Sequence, residues 1–182
     1  VGKLGRPTEV VEAAMVAGVV LGLLKRDKAI KKAVICGSVR RARAIVSDVD
    51  IMVVADIPDL TALRPATWDV HWTPKGGVAE IDDVRVELYL TPPHGEGCML
   101  QFLTGPGEFN VYLRQKAKRL GMKLSQYGLI DSATGERLDT FSDDPFFDEI
   151  KLFEQLDVPW IEPHDRDDWR QIVAHHKGRV TI

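Results

Sequence analysis

Asp48 and Asp50 stand two positions apart at the head of the apolar run Ile51-Met52-Val53-Val54. On a strand, residues at that spacing project to one face, where two like charges repel unless a cation lies between them. Burying the pair without compensation would be costly, so the pattern suits a hard divalent metal held by oxygen ligands. The alternative is a solvated turn that happens to carry Asp-x-Asp. Glu87 adds a third carboxylate on the polar side of a second alternating segment. If the two segments are neighbours, the three acids converge on a pair of ions about 3.5–4 Å apart, an arrangement that activates a hydroxyl and neutralises a leaving pyrophosphate. The competing reading is a solvent-facing glutamate paired with Arg85.

A third group precedes these acids. Gly37-Ser38 is followed by Arg40, Arg41 and Arg43. Glycine permits close backbone approach, the following helical turn offers unpaired N–H groups, and the serine hydroxyl and arginine forks complete a site for phosphate oxygens. An ordinary turn is the alternative reading of the Gly-Ser pair.

The elements that must position these residues are readable in outline. Val10, Val11, Ala14, Met15, Val19 and Leu23 recur at helical spacing from Thr8 or Glu9 up to a Lys-rich end, predicting a first helix. Ala33 to Cys36 reads as a short strand, Val39 to Ala44 as a helical turn, and Asp48 to Ala55 as a buried strand rich in β-branched residues. Pro58, Pro65 and Pro74 mark a loop region enclosing a strand from Trp68 to Trp72. From Val84 to Leu90, Arg85, Glu87 and Tyr89 alternate with apolar residues, so one face meets a core and the other a cleft.

After Pro92-Pro93 the pattern turns helical. Helices are expected from about Cys98 to Leu103 and from Gly107 to Leu120, followed by a hairpin around Tyr127 to Arg137. A last helix is expected to start at Asp144-Pro145, with Asp144 as N-cap, and to run to about Leu156. The fold class expected is α/β (α+β), with a mixed-sheet first subdomain, residues 1–93, and a mostly helical second one, residues 94–182. No internal repeat or low-complexity tract is found.

Composition bounds the function. The chain has 182 residues, 45% hydrophobic and 28% charged, enough to bury a core without staples. Cys36 and Cys98 form no Cys-x-x-Cys and no Cys/His cluster, which speaks against a disulfide framework or a structural zinc site and for a reducing, cytoplasmic compartment. His71, His94, His164 and the His175-His176 pair lack mutual ligand spacing. Val16 to Leu24 is the longest apolar stretch, shorter than the ~20 residues that span a bilayer, and the N-terminus does not read as a secretory signal.

The net charge is −3, yet its distribution is uneven. Between Asp131 and Trp169 there are 13 acidic and 3 basic residues, a balance of −10, which leaves +7 for the rest. Basic residues gather at positions 25–32, at Arg40, Arg41 and Arg43, and at Arg114, Lys116, Lys118, Arg119 and Lys123. A basic face opposed to an acidic one can track phosphates despite the average. Trp160 and Trp169 are expected to anchor the acidic segment.

Taken in order, Gly37-Ser38-Val39-Arg40-Arg41 and Asp48-Val49-Asp50 resemble the signature of the polymerase-beta-type nucleotidyltransferase superfamily. Arg85-Val86-Glu87-Leu88 resembles its third-acid strand. Phe102-Leu103-Thr104-Gly105, with Phe109-Asn110 and Arg114, resembles the nucleotide-selecting segment of family X DNA polymerases. The stretch from Lys118 to Tyr127 and the segment from Trp160 to Asp167 continue the likeness through the thumb region. Departures fall at Glu87, where the family usually has aspartate, at Phe102-Leu103 in place of tyrosine and phenylalanine, and at Ala42 and Ser47 in place of glycines.

The resemblance implies a palm followed by a thumb, and a DNA polymerase that adds deoxynucleotides from dNTP to a primer 3′-hydroxyl, filling short gaps in repair. Asp48, Asp50 and Glu87 would ligate two Mg²⁺ ions, with Mn²⁺ as a possible substitute. Gly37, Ser38 and Arg41 would hold the triphosphate, and Phe102, Thr104 and Gly105 would line the sugar. Asn110 would reach the minor-groove edge of the incoming base, and Arg114 the templating strand. Arg85 would contact the primer phosphate or brace Glu87, while Lys118 and Tyr127 complete the DNA-binding set. With fewer than 40 residues ahead of Gly37, a minimal palm-and-thumb core is expected, monomeric and without helix-hairpin-helix, lyase or BRCT-like modules. Two rivals are a template-independent nucleotidyltransferase acting on a small molecule, RNA end or protein, and a nucleic-acid-binding scaffold with a decayed site.

Overall fold

The computed structural model describes residues 5–57, 70–73, 76–139 and 148–179. The chain divides into two compact units, Val1–Pro93 and His94–Ile182.

In the first unit a short strand β1 (Thr8–Glu9) leads into helix α1 (Val10–Leu24). There follow β2 (Ile30–Ile35), the single helical turn α2 (Gly37–Arg40), β3 (Ile45–Val46) and β4 (Val49–Ala55). Strands β5 (Val70–Thr73), β6 (Gly76–Ile81) and β7 (Val84–Thr91) complete a five-stranded mixed sheet of order β2-β4-β7-β6-β5. Only β4 and β7 run parallel, and their register sets Asp50 directly opposite Glu87. Because side chains alternate, Val49, Ile51 and Val53 of β4 and Val84, Val86 and Leu88 of β7 form one core with α1. The acidic positions therefore fall on the opposite face of the sheet.

Three sequence expectations change here. The face of α1 that enters the core is Ala13, Val16, Ala17, Val20 and Leu24, whereas Val11, Met15 and Val19 are 67%, 70% and 58% exposed. The helix is apolar nearly all round, so its periodicity did not single out the buried stripe. Strand β6 was not expected at all. It joins β7 through Asp82-Asp83, both with positive φ (49° and 60°), the geometry of a two-residue hairpin turn that aspartate tolerates better than bulky residues. The helical turn begins at Gly37 rather than Val39. Of the strand expected from Trp68 to Trp72, the first two positions lie outside the described residues, and β5 covers the remainder.

The second unit is mostly helical. Helices α3 (Glu96–Thr104) and α4 (Gly107–Arg119) precede the hairpin β8 (Met122–Ser125) and β9 (Gly128–Asp131), then α5 (Glu149–Gln155) and α6 (Trp169–Arg179). The hairpin turns at residues 126–127, so its first strand lies ahead of the expected Tyr127 start. The N-cap of α5 is Asp148, whose carboxylate accepts the Lys151 N–H at 2.8 Å. The expected cap at Asp144-Pro145 falls outside the described residues, and α6 was not foreseen.

Phe109, Leu113 and Ala117 of α4 pack with Leu124 and Leu129 of the hairpin, with Leu152 and Phe153 of α5 and Leu156 just after it, and with Trp169. Arg166 is wholly buried in this unit: its Nη1 donates to Glu149 Oε1 at 2.5 Å and its Nε to the Ile161 carbonyl at 3.1 Å. Its guanidinium lies over the rings of Phe153 and Trp160, so Trp160 and Trp169 do anchor this segment. Cys36 and Cys98 are buried free thiols in different units. Among the described residues no helix is long and apolar enough to cross a membrane.

Candidate active site

In the first unit the sequence brings its acids together through strand pairing. β4 is rich in β-branched residues and buried on both faces beyond Asp50, with Asp48 just ahead of its first residue and Asp50 at its second. The Cys36 N–H donates to the Asp50 carbonyl at 2.8 Å, which ends β2 beside Asp50 and starts α2 at Gly37. Gly37 has φ +63°, and a Cβ there would lie 2.1 Å from Asp50 Oδ2. Glycine is thus required twice, for the left-handed backbone and for the space the Asp50 carboxylate takes.

Electrostatics around the acids are unfavourable to charge. Burial, then repulsion from Asp48 and Glu87, push Asp50 from 3.8 up to about 7, against a hydrogen bond from Tyr89 and the attraction of Arg41. Asp48 is raised chiefly by burial and also by Glu87, with a Ser47 hydrogen bond and Arg85 pulling the other way. Tyr89 is pushed far up by burial, by its hydrogen bond to Glu87 and by all three carboxylates.

Glu87 is clasped on its own strand. Oε1 accepts from Arg85 Nε at 2.7 Å and Nη2 at 2.6 Å, and Oε2 accepts from the Tyr89 hydroxyl at 2.5 Å. Arg85, Glu87 and Tyr89 are alternate residues of β7 on one face, and glutamate is long enough to reach both neighbours. So the ion pair with Arg85 and the placement opposite Asp50 are both present. Among the described residues no three acidic, histidine or cysteine side chains are gathered tightly enough to close on one ion. The chemistry of the donor set, oxygen-only with an excess of buried negative charge, fits a divalent cation, with Asp48 and Asp50 the better placed ligands. Ser38 and Arg41 lie on and just after α2, half-buried, with Arg41 near enough to attract Asp50.

The second unit carries the other sequence-selected residues. Thr104 and Gly105 are buried at the end of α3, Gly105 with φ +60°, and Phe102 is half-buried. Asn110, on α4, is 8% exposed; its Nδ2 donates to the Phe102 carbonyl at 2.7 Å and its Oδ1 accepts from Gln101 Nε2 at 2.7 Å. Arg114 and Lys118, one turn apart, are exposed on α4, and Tyr127 is exposed at the tip of the β8-β9 hairpin.

Two residues escaped the sequence reading as site members. Tyr89 already stood on the polar side of the alternating strand with Glu87, and Gln101 was the one amide inside the apolar run from Cys98 to Leu103.

Comparison with known proteins follows this geometry. The family model "DNA polymerase beta thumb" matches residues 99–167. A DNA polymerase/3′-5′ exonuclease PolX of Bacillus subtilis is 26% identical over 150 residues, covering 76% of this chain and 25% of that protein. DNA polymerase lambda of Rattus norvegicus is 26% identical over 162 residues, covering 74% and 28%. The chain thus spans about a quarter of the length of these curated relatives. Among solved structures, a ternary P/T complex of Leishmania infantum polymerase beta matches with a TM-score of 0.71 at 20% identity, over 90% of this chain and 78% of that one, a likeness of fold.

Proposed function

We propose, from the membership of this chain in the polymerase-beta-like family X, that it is a DNA polymerase core. It adds deoxynucleotides from dNTP to a primer 3′-hydroxyl, as a monomer on gapped or primed duplex, filling short gaps in repair within a cytoplasmic-type compartment. The observation that carries this reading is the parallel register of β4 and β7, which sets Asp50 opposite Glu87, with Asp48 at the same strand end and Gly37 shaped around the Asp50 carboxylate.

In this reading Asp48, Asp50 and Glu87 hold two magnesium ions, or manganese in their place. When bound, the metal supplies the charge that lowers the pKa of the primer hydroxyl and neutralises the departing pyrophosphate. The rest is positioning by the chain. Gly37 gives backbone access beside Asp50, while Ser38 and Arg41 hold phosphate oxygens. Arg85 and Tyr89 orient Glu87. Phe102, Thr104 and Gly105 line the sugar, Asn110 donates to the base edge, and Arg114, Lys118 and Tyr127 bear on the DNA.

A second reading, a nucleic-acid-binding scaffold without turnover, is favoured by one observation: both Glu87 oxygens are engaged by Arg85 and Tyr89. One assay separates the readings. Magnesium-dependent extension of a primer on gapped and ungapped duplex, with each dNTP and each ribonucleotide supplied alone, should show template-directed addition that Asp50→Ala abolishes. Gapped-DNA binding without extension supports the scaffold, and addition indifferent to template supports a template-independent transferase. Near-normal extension by Asp50→Ala overturns the two-metal mechanism.

A further inference from the structure

Gln101 lies on α3 among Cys98, Met99 and Leu100, all buried, and is itself only 2% exposed. A leucine would fill such a position without the cost of desolvating an amide, so the polar group calls for a reason. Its Nε2 donates to Asn110 Oδ1, and Asn110 Nδ2 donates to the Phe102 carbonyl, each at 2.7 Å. Chemistry fixes the direction of this chain. A backbone carbonyl can only accept, so the Asn110 atom facing Phe102 is nitrogen; its oxygen then faces Gln101, which must present nitrogen in turn. The amide plane of Asn110 is pinned at both ends, and one Nδ2–H is left over.

We infer that Gln101 is a positioning residue that holds Asn110 in the one amide orientation able to offer that spare N–H to a minor-groove acceptor of the incoming nucleotide. Purine N3 and pyrimidine O2 are the acceptors common to all four bases there, so the contact reads base-pair shape rather than base identity. This rests on the proposed polymerase function and on Asn110 facing the incoming base. Without Gln101 the Asn110 amide is held only by the Phe102 carbonyl and can turn about that one hydrogen bond, so the spare donor is less firmly aimed.

The test is single-nucleotide insertion opposite template thymine with dATP and with 3-deaza-dATP, which lacks the N3 acceptor. Wild type should prefer dATP in kcat/KM by about five- to tenfold, the worth of one neutral hydrogen bond. Gln101→Leu and Gln101→Glu, the latter nearly isosteric but without the amide donor, should lower that preference to within about twofold, mainly by raising KM for dATP. Asn110→Ala should abolish it, and Gln101→Leu should add nothing in that background. The preference is a ratio within one protein, so a partly unfolded variant leaves it unchanged, as would a purely structural role for Gln101.

Full preference retained in both Gln101 variants overturns the inference, as does a wild type that extends primers with no preference. A wild type that extends no primer overturns the functional reading itself, and this inference with it.

Discussion

Replacing Asp50 by asparagine should stabilise the protein while removing the proposed activity, and the effect on stability has a definite pH dependence. Burial and the neighbouring carboxylates hold Asp50 at about 7 in the fold against 3.8 for the ordinary side chain. Below pH ~4 the carboxyl is protonated in folded and unfolded chains alike. Between pH ~4 and ~7 the folded state keeps the proton that the unfolded state has lost, so stability falls as pH rises, by up to about 1.4 kcal/mol per pH unit. Above ~7 the loss is complete and the curve from this group is flat. The full difference corresponds to about 4 kcal/mol, and solvent access at the strand end reduces it to about 2–4 kcal/mol. The amide of the Asp50→Asn variant carries no charge, keeps the shape that Gly37 accommodates, and has no such dependence. Urea unfolding of both proteins from pH 5 to pH 9, without metal, should show a gap that opens toward high pH. At pH 8 magnesium should raise the stability of wild type more than that of Asp50→Asn, because a ligand that binds only the folded state stabilises it by mass action. Parallel curves for the two proteins, or a variant less stable at pH 8, would refute the claim that like charges are crowded at this strand end.

Other consequences are quickly checked. Gly37→Ala places a methyl where Asp50 Oδ2 lies and forces a left-handed alanine; it should cost about 1–3 kcal/mol in urea unfolding and weaken manganese binding measured by titration. Glu149→Ala leaves the buried Arg166 guanidinium without its carboxylate and should destabilise by about 3–5 kcal/mol, whereas the loss of an exposed pair such as Arg170–Glu108 should cost under about 1 kcal/mol. A Cβ at Gly18 or Gly22 meets nothing within 4 Å, so Gly18→Ala and Gly22→Ala should each raise stability by up to ~1 kcal/mol, read as an upward shift in melting midpoint. Binding to gapped duplex should weaken steeply with salt, and Arg114→Ala with Lys118→Ala should each flatten the logarithmic slope by about one; slopes unchanged from wild type would remove these residues from the phosphate contacts.

What the sequence disclosed follows from how local each signal is. The β7 alternation is a strong signal because one face meets α1 and the other does not, an asymmetry written in residue type at period two, and the β4 run is strong because both of its faces are covered and its residues are apolar almost throughout. The acids were legible in part, since period two sets Asp48 with Asp50 and puts Glu87 opposite the apolar face of β7, whereas the pairing of β4 with β7 that brings the two sets together was not. The buried stripe of α1 was not legible, because Val11, Met15 and Val19 also recur at helical spacing and only the packed sheet distinguishes them from Val16 and Val20. Strand β6 was hidden by Gly76-Gly77 and by an Asp-Asp turn, residues with little strand preference that are held by pairing with β7. The α5 cap is Asp148, whose carboxylate accepts the N–H three positions on, while the pattern at Asp144-Pro145, which satisfies the same local rule, lies outside the described residues.

Glu87 was the residue on which sequence and structure had to be weighed together, and charge balance explains why it sits as it does. Three carboxylates, Asp48, Asp50 and Glu87, share the strand end with two guanidiniums, Arg41 and Arg85, so the cluster is short of positive charge even with every pair made. The longer side chain at position 87 reaches the Arg85 and Tyr89 clasp on its own strand, which offsets the repulsion from Asp48 and Asp50. In the proposed function a divalent cation held by Asp48 and Asp50 would add the positive charge this cluster lacks and would give Glu87 an attractive partner across the strands. The same cation would leave Arg41 with positive charge to offer, which a polyphosphate neutralises. On that proposal the clasp would couple the engagement of Glu87 to cation and triphosphate together. For an acid one methylene longer than aspartate, that coupling would reconcile the clasp with the proposed role as ligand.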